Sequence, residues 1–92
     1  MKNFRRFVKI FRKHFERELR SIEIIDKDGK LNESFGPLKG TAMAADMCAF
    51  AAREIATIRT GYVIADDDFL DLRNHAYEVS GLEVLKDVER ST

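Results

Sequence analysis

Eight of the first twenty residues are cations, Lys2, Arg5, Arg6, Lys9, Arg12, Lys13, Arg17 and Arg20, and their spacing is helical. At about 100° per residue from Phe4 they spread over about 80° to 220° of a helix, and only Glu16 interrupts them. Guanidinium and ammonium groups gathered on one face bind anions. Crowded like charges repel, and an anionic partner relieves that repulsion. Phosphate suits the face because arginine pairs with it in bidentate fashion and each contact releases counterions. An acidic protein surface suits it nearly as well, and the plain alternative is a solvated face resting on the chain's own acidic part. Arg5, Arg6, Lys9, Arg12, Lys13, Arg17 and Arg20 are therefore the expected partner-binding residues.

The other polar clusters have structural uses. Asp66, Asp67 and Asp68 suggest a metal, but carboxylates at a helix start accept unpaired N–H groups and complement the macrodipole, so a cap at Asp66 or Asp67 is expected. Asp26-Lys27-Asp28-Gly29 superficially resembles a calcium loop. That loop needs glycine sixth and glutamate twelfth, and here glycine is fourth with no glutamate to follow, so the segment reads as a hairpin turn. Asp71, His75 and Glu78 share one exposed helix face, where a carboxylate could orient a general base, yet no nucleophile lies nearby in sequence. Cys48 and His14 would make a thiolate pair only if the thiol were activated, and Cys48 sits among alanines where a thiol is inert. Two histidines and one cysteine without ligand spacing give no zinc site. The expectation is a chain with no catalytic residue, metal, cofactor or small-molecule substrate.

These groups need elements to position them. Phe4, Phe7, Val8, Phe11, Phe15, Leu19 and Ile22 fall within an arc of about 120° opposite the cations, which predicts an amphipathic first helix. Ser21 to Asp26 and Leu31 to Phe35 read as two strands, joined by a three-residue loop with Gly29 left-handed that sets Asp26 opposite Lys30. Residues 36–40 form a loop around Pro37. Thr41 then caps a second helix that Gly61 stops. Met43, Met47, Phe50, Ile55 and Ile58 among many alanines make that helix the expected buried centre, with a narrow polar edge at Asp46, Arg53 and Thr57. Tyr62 to Ala65 fits a short strand, and a third helix runs to Ser80 with Gly81 after it. Leu82 to Val88 satisfies strand and helix spacing alike. The expected fold is α+β, one domain over residues 1–92, in the order α-β-β-α-(β)-α with an ambiguous last element.

Composition agrees with a folded, charge-rich domain. Leu, Ile, Val and Phe make up 26 of 92 residues, above the level at which charged chains stay disordered, and 35% are charged against about 25% in an ordinary domain. The net charge of zero hides a gradient of +6 over residues 1–20, −1 over 21–60 and −5 over 61–92. A single cysteine excludes an internal disulfide and fits a reducing cytoplasm. Arg5, Arg6, Lys9, Arg12 and Lys13 break up the start where a secretory signal would be apolar, and Ala42 to Ala52 is too short to span a bilayer. No membrane association is expected.

A chain of this size with a basic opening helix, a hairpin around Asp28-Gly29 and no enzymatic motif resembles the small phage-encoded anti-CRISPR proteins, in particular inhibitors of the type I-F surveillance complex. The resemblance covers the chain in character, without a shared motif. It implies a non-enzymatic inhibitor in the host cytoplasm that docks on Cas subunits carrying crRNA and blocks target DNA. The competing expectation is a small nucleic-acid-binding module that sets the same Arg/Lys face on phosphate, although the acidic last third opposes a long duplex.

Overall fold

The computed structural model describes residues 2–88. Three α-helices follow one another, α1 (Lys2–Ser21), α2 (Leu38–Thr60) and α3 (Asp66–Val79), with short 3-10 helices at Glu33–Phe35 and Glu83–Asp87. In α1 the helical spacing holds: Phe7, Phe11, Phe15 and Leu19 are sealed from solvent, while Ile22 ends up largely exposed. α1 packs on α2, whose inward face is built from Ala42, Ala45, Cys48, Ala49, Ala52 and Ala56. Such small side chains let ring-bearing positions sit close to the α2 backbone and fill the space between the helices. Phe4 and Phe7 meet Tyr62, just beyond the end of α2, so the two helices run antiparallel.

The aromatic row of α1 also holds α3. Phe11 stacks near Phe15 at 5.5 Å and meets the edge of Phe69 at 5.8 Å, and Phe15 lies 5.8 Å from Tyr77. A polar seam completes the α2–α3 contact. The Arg73 guanidinium reaches Asp46 Oδ1 at 2.5 Å, and the Tyr77 hydroxyl lies 3.5 Å from the same oxygen. Arg53 Nη2 donates to the Ile64 carbonyl and to Asp66, both at 2.9 Å, with its guanidinium 4.5 Å from the Phe69 ring centre. The expected polar edge of α2 is therefore its seam with α3.

The α+β expectation is overturned: the described residues contain no strand, and the expected hairpin is reduced to one isolated bridge between Ile25 and Leu31. The reason lies in how α1 ends. Glu23 adopts a left-handed conformation (φ 65°), its N–H donates to the Arg20 carbonyl, and the Ile24 N–H donates to Leu19. This is a Schellman closure in which Leu19 and Ile24 supply the usual apolar contact. Ile24 and Ile25 are both buried, whereas successive residues of a strand point to opposite faces. The returning segment is cut short at Asn32, whose Oδ1 accepts from the Ser34 N–H and caps the 3-10 helix Glu33–Phe35. Tyr62 to Ala65 is likewise no strand, only an unpaired connection between α2 and α3.

The turn itself is as expected. Gly29 is left-handed (φ 81°) and Asp26 N–H donates to Lys30 O. The Asp26 carboxylate accepts from the Lys30 and Asp28 N–H groups, and these bonds, that from Lys30 foremost, hold its pKa below the usual carboxylate range. Gly61 ends α2 in a left-handed conformation. Gly81 closes α3 by the same Schellman pattern, with Leu82 N–H on Tyr77 O and Gly81 N–H on Glu78 O.

Other expectations need correction. α2 begins at Leu38 behind Pro37, not at Thr41, whose hydroxyl instead donates to the Pro37 carbonyl at 3.1 Å inside the first turn. α3 is capped by Ala65 with no side-chain bond, because Asp66 is drawn to Arg53. Among the described residues, the ambiguous segment is the 3-10 helix Glu83–Asp87, bringing Leu82 and Leu85 inside; residues 89–92 lie outside the described set. The largest correction concerns α2. It is buried chiefly on its alanine face, with Met43 64%, Met47 72%, Phe50 49% and Ile58 76% exposed on the other, Phe50 half-covered by Phe69 of α3.

Two measurements test this packing. Phe11→Ala removes the ring at the centre of the aromatic row and should cost about 3–5 kcal/mol in denaturant unfolding; an unchanged midpoint would mean that α1 is not docked. Glu23→Gly relieves the left-handed strain and should raise stability by about 1 kcal/mol with the same helical circular dichroism. A loss of stability would rule out the observed α1 terminus.

Candidate functional site

The burial of the phenylalanine row turns the opposite side of α1 to solvent. Arg5, Arg6, Lys9, Lys13 and Arg17 are exposed there, and among the described residues none of the five is in an ion pair. The Lys2 side chain lies outside the described set. Arg12 and Arg20, expected on the same face, are placed differently. Arg12 is half-buried in an open groove between α1 and α3, which it shares with Val8, Asp68, Asp71 and His75. Arg20 is engaged by its own chain: two of its nitrogens bond Glu16 Oε1, the shorter at 3.0 Å, and Nη1 donates to the Lys27 carbonyl at 3.1 Å. It latches the Asp26–Lys30 turn against the end of α1.

The face is thus a five-cation field bordered on the α3 side by carboxylates. Asp66, Asp67 and Asp68 in the first turn of α3 complement its macrodipole without capping it. Asp71, His75 and Glu78 are all exposed, as expected for one helix face. Glu78 is taken up by Lys86, whose Nζ lies 2.6 Å from Oε1 and whose hydrogen bond and charge pull the carboxylate pKa down. His75 stands 3.9 Å from Glu78. Among the described residues no group of three or more His, Cys, Asp or Glu is placed to hold a metal ion, and no helix is long and apolar enough to cross a membrane.

Two buried groups were open to a catalytic reading. Burial pushes the Cys48 thiol pKa up, with the charge of Glu18 adding to it, the reverse of what an activated thiolate needs. His14 is 8% exposed and its Nε2 is buried with no hydrogen-bond partner. Burial above all, then the charges of Arg59, Arg17 and Lys13, hold its pKa below the ordinary value near 6.5 against a smaller opposing pull from Glu18. Arg73, the buried partner of Asp46, was not singled out by sequence spacing, and the α2 row at Met43, Met47, Phe50 and Ile58 was expected as core where the structure exposes it. Asp46 in an apolar stretch signals that some cation must meet it, without saying which. No family model, curated protein or solved structure matches this chain.

The state of His14 gives a pH dependence with a definite sign. The unfolded chain takes up a proton near pH 6.5 that the folded chain resists, so stability is full above that value and falls as pH drops through it. Asp26 and Glu78, both held low, lose their contributions only below their ordinary values of 3.8 and 4.5. Thermal melts should therefore be flat above neutrality and fall as pH drops below about 6.5. His14→Leu should flatten that window. A parent melting temperature that rises on acidification would contradict the buried neutral imidazole.

Proposed function

We propose that the protein is a non-enzymatic binding module that docks the cationic face of α1 on an acidic surface of a protein or ribonucleoprotein assembly. The supporting observation is the set Arg5, Arg6, Lys9, Lys13 and Arg17, exposed and outside any described ion pair on a helix whose opposite side is locked into the core. Five such charges on one face cost self-repulsion that a partner relieves. The border matters too. Asp68 and Asp71 line the same groove as Arg12, so the surface changes sign across that groove. A protein surface can match such a pattern, whereas uniformly anionic duplex is repelled along the α3 edge. In the form implied by the resemblance to anti-CRISPR proteins, the partner is the set of Cas subunits carrying crRNA, the outcome is blocked target DNA, and the site of action is the host cytoplasm. The second reading, a nucleic-acid module with the same cations on phosphate, draws on the same face.

Replacing Arg6, Lys13 and Arg17 together by glutamate tests the face. The fold should stay within about 1 kcal/mol of the parent, since all three side chains are exposed. Affinity for a purified type I-F surveillance complex should fall about 100-fold or more, because each close charge pair is worth about 1.5 kcal/mol and reversal adds repulsion. The loss should shrink at high salt. A folded triple variant that binds like the parent would reduce the face to solubilising surface. Tight, salt-sensitive gel shifts with generic DNA or RNA would move the function to the nucleic-acid module.

A further inference from the structure

The outward face of α2 lies diametrically opposite the alanines that meet α1. At about 100° per residue, Lys39, Met43, Met47, Phe50, Glu54 and Ile58 occupy one arc of about 100°. Single exposed apolar side chains are ordinary, but a continuous row over four to five turns marks an interaction surface. The charges in this row say what fits it. It carries one cation, Lys39, and one anion, Glu54, both exposed and neither in an ion pair among the described residues. They stand at similar distances on either side of Met47.

We infer that this face of α2 is the seam of a homodimer in which two copies of α2 pair antiparallel about a two-fold axis beside Met47. A two-fold seam must be self-complementary, so that a residue facing another is faced by it in turn. In this register Lys39 of one copy faces Glu54 of the other, twice. Met43 faces Phe50, and the two Met47 side chains meet at the axis. Ile58 reaches the segment before α2, where Phe35 stands. The four large apolar side chains supply on the order of 500 Å² per copy, and Lys39 and Glu54 bring the seam near the roughly 800 Å² per partner of a stable interface. A lipid surface fits less well, because lipid-bound helices flank the apolar stripe with cations, and the cations of this molecule cluster on α1, facing away from α2. The dimer goes beyond the proposed function. Its two α1 faces point outward, and a partner with repeated acidic surfaces would be bound with avidity.

The test is sedimentation of the full chain across the micromolar range, with circular dichroism as the check on folding. The parent should sediment as a dimer and Met47→Glu as a monomer with unchanged helicity, since Met47 is mostly exposed in the single chain. Lys39→Glu places like charges opposite each other at both ends of the seam, as does Glu54→Lys. Each should weaken self-association about tenfold. An equimolar mixture of the two variants restores opposite charges at both ends and should dimerise as the parent does. A parent that stays monomeric throughout, a Met47→Glu variant that still dimerises, or a mixture no tighter than its components would overturn the seam. A monomeric parent that co-sediments with vesicles of phosphatidylcholine and phosphatidylglycerol, and loses this on Met47→Glu, would assign the face to lipid instead.

Discussion

Everything in this domain depends on the contact between large rings on α1 and small methyls on α2. Phe7, Phe11 and Phe15 carry the bulk, and Ala45, Ala49, Ala52 and Ala56 leave room for it, all of them sealed from water. Each buried ring or leucine is worth about 1.5–3 kcal/mol, and in a domain this small a few such groups outweigh any other local preference. The same contact aims the two helices. With the rings inward, the α1 cations must point out. With the alanines inward, Met43, Met47, Phe50 and Ile58 must point out as well.

Position along the chain is then set by polar groups within the apolar frame. Asp46 on α2 is largely buried and would be costly alone, and Arg73 and Tyr77 convert that cost into a specific docking of α3, with Arg53 adding a second tie to Asp66. A buried pair of this kind adds little net stability compared with apolar packing, but losing one member strands the other. Its main effect is to allow one register of α3 on α2 and penalise neighbouring ones. Arg20 does the same at the other end of the molecule, tying the Asp26–Lys30 turn to α1 through two carbonyls and Glu16. Spending this cation on the fold withdraws it from the cationic face.

The result is a domain with two unlike outer faces. One is a field of cations on α1 that form no ion pair among the described residues, the other an apolar row on α2 with one charge of each sign. Electrostatic attraction acts over about a Debye length and depends on salt, whereas apolar contact acts only at touch. The proposed capture of an anionic partner and the proposed pairing of copies therefore fall on separate surfaces, with no residue serving both.

Local features were legible in the amino-acid order because they depend on spacing or on a single backbone angle. The phenylalanine row and the opposed cations follow from a 3.6-residue period, and Gly29, Gly61 and Gly81 stand where a left-handed residue is needed. The candidate site was legible to the same extent: spacing placed Arg5, Arg6, Lys9, Lys13 and Arg17 outward, but could not foresee that Arg20 would latch a turn or that Arg12 would sink into a groove it shares with carboxylates of α3. Nor did the order reveal that Glu23 takes a conformation usually left to glycine, dissolving the expected strands, because the drive comes from Leu19 and Ile24 meeting in the core. Tertiary structure alone decided which side of α2 is buried. Its methionine, phenylalanine and isoleucine row is the more hydrophobic face residue by residue, yet the alanine face wins, because packing rewards the fit between two surfaces and the rings that complete that fit lie on another helix.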